Sequence, residues 1–86
     1  LIKEEIRMSE EILKLISSPS HADNIKGDYY LVDTRIKELS EQMSNIEAVK
    51  EPTPDCGYDL LRVKLRTLVE YRRVLRDQAE MERIEV

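Results

Sequence analysis

The side chains in this sequence with the chemistry to act as nucleophile, base or soft metal ligand are few: one cysteine, Cys56, and one histidine, His21, beside 18 carboxylates. A Cys–His pair works as nucleophile and base only within hydrogen-bond reach. His21 follows Ser18-Pro19-Ser20 and Cys56 sits between Pro54-Asp55 and Gly57, so the two are expected in different connections between helices. About six helical turns, ~30 Å, would then separate them. His21 is therefore expected to be a solvated loop residue and Cys56 an inert or mildly reactive thiol. One of each falls short of a four-ligand zinc site. The paired carboxylates Glu4-Glu5 and Glu10-Glu11 are neighbours in sequence. On a helix such neighbours diverge by about 100° and do not converge on one substrate atom. No Glu-x-x-His, glycine-rich phosphate loop or Gly-x-Ser-x-Gly occurs, so the chain is expected to be non-enzymatic, with no cofactor and no metal.

The arginines near the C-terminus are the least ordinary feature. At about 100° per residue, Arg66, Arg73, Arg76 and Arg83 fall within about 60° of Arg62 and line one helix face. Residues 57–86 carry 7 basic and 6 acidic side chains, whereas residues 1–56 carry 7 and 12, so the chain is electrically lopsided around its net charge of -4. Such a stripe can pair with acidic helices of another copy, hold an acidic protein partner, or follow a nucleic-acid backbone. Nucleic acid is the weakest of the three: the chain is acidic overall, Glu80 interrupts the stripe, and Glu70 and Asp77 flank it.

These residues must be positioned by helices. Pro and Gly cluster only at Pro19 to Gly27 and Pro52 to Gly57, and elsewhere the apolar residues follow helical spacing. Three helices are expected, at about 1–17, 29–50 and 54–84. In the first, Ile2, Ile6, Leu13 and Ile16 form one stripe and Leu1, Met8, Ile12 and Leu15 a second, the broad arc of a helix with two neighbours. In the second, Tyr29, Val32, Ile36, Leu39, Met43 and Ile46 keep the 3,4,3,4,3 spacing of a coiled-coil seam. Asp28 is the expected N-cap there. Pro52 ends the helix and leaves Lys50 at its negative pole. Glu10–Lys14 and Asp33–Lys37 are expected i,i+4 pairs. In the third, Thr53-Pro54-Asp55 reads as an N-terminus, with Asp55 an alternative start. Leu61, Leu65, Leu68, Leu75 and Ala79 form its first stripe, and Leu60, Thr67, Tyr71, Val74 and Met81 a second. Arg72 stands where the first stripe expects an apolar residue, and is expected to snorkel from the core edge or to set register.

The expected fold is all-α: an antiparallel three-helix bundle or coiled-coil hairpin with a long third helix. Helices of about 25, 33 and 40 Å would leave the last turns of the third, with Val74, Met81 and Ile84, lacking a neighbour unless the first loop folds over them or a second chain packs there. An 86-residue chain buries only about 60–65% of its unfolded surface. With no disulfide or zinc site at hand, self-association is the remaining stabilising device. The function expected is protein–protein interaction or assembly as a homodimer or other homo-oligomer, through Arg62, Arg66, Arg73, Arg76, Arg83, Tyr71, Val74, Met81 and Ile84. A small nucleic-acid-binding accessory protein is the alternative. One unpaired thiol and no apolar run near the ~18 residues of a membrane span suit a reducing, cytoplasmic setting. A chain that opens on Leu1 reads as a piece of something longer.

Overall fold

Three residues, Ser18-Pro19-Ser20, decide how the first two helices meet. In the computed structural model, which describes residues 2–86 and side chains from Glu10 onward, α1 spans Ile2–Ser17, α2 His21–Glu47 and α3 Tyr58–Met81. No strand occurs among the described residues. The contributions expected of Leu1, Ile2, Glu4, Glu5, Ile6 and Met8 fall on side chains outside the described set.

Pro19 biases Ser18 out of helix. Ser20, extended at φ -78 and ψ 127, then caps α2, its hydroxyl accepting from the Asp23 N–H at 3.4 Å. The Ser18 hydroxyl donates to the Asp23 carboxylate at 2.9 Å and accepts the Ser20 N–H at 3.2 Å. From one turn into α2, the Asn24 amide donates to the carbonyls of Leu15, Ile16 and Ser18 at 2.9, 3.2 and 2.8 Å. These are the orphan acceptors that any helix C-terminus must satisfy. The long first loop and the Asp28 cap expected from sequence are thus replaced by a three-residue joint. Gly27 lies inside α2 because α1 crosses there: a Cβ at 27 would stand 2.9 Å from Ile16 Cγ1 and 3.0 Å from both Ile16 N and Leu15 Cβ.

The other helix ends also shift. α2 stops at Glu47, short of Lys50, with Val49 left-handed at φ 58. The Val49 N–H bonds the Ile46 carbonyl at 3.0 Å and the Lys50 N–H that of Asn45 at 2.8 Å. That is a Schellman stop built without glycine. The same motif ends α3: Arg83 has φ 58, its N–H reaches the Glu80 carbonyl at 3.2 Å, and the Ile84 N–H that of Ala79 at 2.7 Å. α3 begins at Tyr58, later than Thr53-Pro54-Asp55 suggested, because the Gly57 N–H closes a turn on the Pro54 carbonyl at 2.9 Å. Gly57 takes φ 84, where a Cβ would be strained.

With 27 residues against 24, α2 and not α3 is the longest helix. Its first two turns run beside the end of α3 that was expected to outreach its neighbours, and His21 Nε2 sits 2.6 Å from Glu82 Oε1. The α2 seam is the predicted one. Val32 and Ile36 pack with Leu75, Leu39 and Met43 pack with Leu61, and Leu65 and Leu68 lie against both clusters. α1 buries Ile12 and lies antiparallel on α2. Among the described residues α1 and α3 each pack on α2 and not on one another. The α1-facing residues of α2 (Gly27, Leu31, Thr34) and its α3-facing seam lie about 150° apart around the helix at 100° per residue. The radius of gyration of 15.0 Å exceeds the ~12 Å of a closed domain of this length, as an open layer requires.

Candidate functional site

α3 presents three sides: a buried one against α2, the arginine stripe, and a second apolar line. Arg62, Arg66, Arg73 and Arg76 share a face of α3, whereas Arg83 lies beyond the helix end and leaves that face, and the chain itself engages most of the four. Arg62 stacks over the Tyr58 ring, 5.0 Å from its centroid, and lies 3.8 Å from Asp59. Arg73 reaches Glu70 at 3.0 Å and Asp77 at 3.3 Å, and Glu70 first, then Asp77, holds its guanidinium above the usual range. Arg76 donates to the Tyr29 hydroxyl at 3.2 Å, which raises its pKa as well. Arg66 and Arg83 form no ion pair among the described residues, and Arg83 serves as the left-handed stop of the helix.

Arg72 snorkels as its position implies, and the structure supplies the partner that the sequence left open. Its guanidinium donates to Asp33 at 2.6 Å, both side chains about one-quarter exposed, and Lys37 holds the other carboxylate oxygen at 3.0 Å. Lys37 first, and Arg72 with it, keep the Asp33 carboxyl below its ordinary pKa against the partial burial that pushes it up. The expected Asp33–Lys37 pair is present; Glu10–Lys14 is not formed. At the far end of the hairpin the Tyr58 hydroxyl donates to the Glu47 carboxylate, which pushes the phenol up. One edge of the α2–α3 seam is therefore sealed along its length by Tyr58–Glu47, Arg72–Asp33 and Arg76–Tyr29.

The opposite edge is open. Arg35, Glu38 and Gln42 of α2 face Lys64 and Leu68 of α3 across a groove, and Arg35, Glu38 and Lys64 make no ion pair among the described residues. Beside it on α3 stands the second apolar line: Leu60 is 55% exposed, Val63 44%, Tyr71 47%, Val74 50% and Met81 85%. Tyr71, Val74 and Met81 are where the sequence placed them. Val63 belongs to the same line, and its three-residue step from Leu60 is the signal that would have included it. Ile84 does not belong: it is half-buried beyond the helix end.

His21 is exposed, as expected, but is the first residue of α2 rather than part of a loop. Gln78 and then His21 lower the pKa of Glu82. Cys56 lies exposed in the connection at the other end of the hairpin, the length of α3 away, about 36 Å at ~1.5 Å per residue. Among the described residues no group of three or more His, Cys, Asp or Glu is gathered for a metal. No helix there is long and apolar enough to cross a membrane.

The class these features define is an antiparallel all-α chain whose α2–α3 hairpin is sealed on one edge and, on the other, open along a polar groove beside an exposed apolar line of α3. Compared with protein-family models, curated proteins and solved structures, the chain matches none.

Proposed function

We propose that this chain is a non-enzymatic interaction and assembly module that acts by helix pairing as a homodimer or other homo-oligomer. The observation that carries the reading is the line of Leu60, Val63, Tyr71, Val74 and Met81, five large apolar side chains on one side of α3, each at least two-fifths exposed. Apolar surface that recurs along one side of a helix is stabilised by a second helix, and scattered exposed residues do not produce such a line. The exposed free thiol of Cys56 suits a reducing compartment such as the cytoplasm. Use of the arginine stripe by an acidic partner or by nucleic acid has less support, because Arg62, Arg73 and Arg76 already have partners within the chain.

The test is molecular mass by sedimentation from about 1 μM to about 1 mM protein, with thermal midpoints across the same range. Association predicts a mass rising above 10.1 kDa and a midpoint that climbs with concentration by mass action. A constant 10.1 kDa particle with a concentration-independent midpoint removes the homo-oligomer.

A further inference from the structure

Two grooves open on the side of the molecule that carries the apolar line of α3, and they share Arg35 and Glu38 as a ridge between them. The groove between α2 and α3 is polar. The other, a cleft of about 270 Å³ between α1 and α2, is lined by Ile12, Leu13, Ile16, Leu31 and Thr34 together with that ridge. Leu13 and Ile16 on its α1 wall are 63% and 38% exposed.

Resting on the assembly reading above, the geometry points to a specific occupant for this cleft: the exposed apolar line of α3 from a second copy of the chain, in a two-fold pair where each α3 sits against the other copy's α1 and α2. Area decides between this and the simpler pairing of α3 with α3. The α3 line alone leaves roughly 500 Å² of side chain per copy, so α3 against α3 covers about 1,000 Å², below the ~1,200–2,000 Å² of stable pairs. Adding Leu13 and Ile16 brings the figure to about 700 Å² per copy and about 1,400 Å² for the pair, inside that range. Space agrees as well. Axes of α1 and α3 placed ~10 Å from α2 and about 150° apart are about 19 Å from each other, too far to touch, and a helix seated over α2 between them lies about 12 Å from each. The arrangement is isologous, so every contact is made twice and the assembly closes at two copies. Arg35, which makes no ion pair among the described residues, stands on the ridge beneath the incoming helix.

The experiment compares the wild-type chain with Leu13→Glu and Val74→Glu by sedimentation across the same concentrations. Both positions are exposed, so each variant is expected to keep its helical circular dichroism. The paired arrangement predicts that either change alone weakens the dimer by at least about 100-fold. In a Cys56→Ser background, an equimolar mixture of Leu13→Cys and Val74→Cys chains should give mixed disulfide well beyond the twofold excess over either like pair that random pairing produces. A dimer that survives Leu13→Glu and falls apart with Val74→Glu means α3 meets α3, which overturns this inference and leaves assembly standing. A wild-type chain that stays monomeric throughout overturns both.

Discussion

Gly27→Ala tests the seating of α1 through the sign of its effect. In a solvent-facing helix interior, replacing glycine by alanine stabilises by about 0.8–1.0 kcal/mol, because the backbone loses less freedom on folding. At position 27 the added methyl meets Ile16 Cγ1 at 2.9 Å and Ile16 N and Leu15 Cβ at 3.0 Å. Ordinary carbon contacts are ~3.5–4.0 Å. Ile16 Cγ1 can swing aside by a rotamer change, but the Ile16 nitrogen and Leu15 Cβ are fixed to the backbone and move only if α1 moves. Overpacking of this kind costs about 1–3 kcal/mol, so the propensity gain is cancelled or exceeded, and the net change runs from near zero to a loss of about 2 kcal/mol. The loss should concentrate in α1, which would lift and expose Ile12, rather than in the α2–α3 hairpin. Denaturant unfolding gives the total, and amide exchange gives its location: α1 amides should exchange faster while those around Val32 and Leu75 keep their protection. A variant about 1 kcal/mol more stable than the parent, with α1 exchange unchanged, would refute the docking of α1 across Gly27.

Further predictions concern the joints and the ion pair. Val49→Gly should stabilise by about 0.5–1 kcal/mol in thermal or urea unfolding, since a β-branched residue in the left-handed region costs about 1–2 kcal/mol and glycine returns part of that as chain entropy; Val49 is 89% exposed and loses no packing. Asn24→Ala should cost about 1–2 kcal/mol and speed exchange at the α1–α2 corner, because two α1 carbonyls and that of Ser18 in the joint lose one donor. Asp33 titrates lower in the folded chain than in the unfolded one. Its contribution is thus complete above about pH 4–5, near the unfolded carboxylate value and beyond, and fades as pH falls through the lower folded value. Asp33→Asn should therefore lower stability at neutral pH by roughly 1 kcal/mol and flatten the loss on acidification, read as thermal midpoints between pH 6 and pH 2. An unchanged acid slope would mean that Arg72 and Lys37 do not hold the carboxylate.

Much of this architecture is legible in residue spacing. The 3,4,3,4,3 run from Tyr29 to Ile46 names the α2 side of the core, the stripe from Leu61 to Ala79 names its partner, and the polar break at Arg72 marks a special contact. These features are legible because periodicity belongs to a helix and its own side chains and needs nothing from elsewhere in the chain. The exposed line on α3 is legible in the same way, although its last turns run beside the start of α2 and do not outreach their neighbours.

The helix ends and the helix neighbours lay beyond that reading. Gly27 looks like a breaker because a glycine inside a helix costs about 1 kcal/mol, and only the backbone of Ile16 lying against it explains its place. Ser20 and Asp28 are caps of similar intrinsic quality; the choice went to Ser20 because Ser18, Asp23 and Asn24 close the joint around it. Thr53-Pro54-Asp55 is a sound helix start in isolation and lost to a turn closed by Gly57. Asp33 is unremarkable until Arg72, 39 residues away in sequence, is folded against it. Local pattern settles which residues face inward. Selection among nearly equal ends and faces depends on energies of about 1 kcal/mol, supplied by atoms that are distant along the chain and adjacent only after folding.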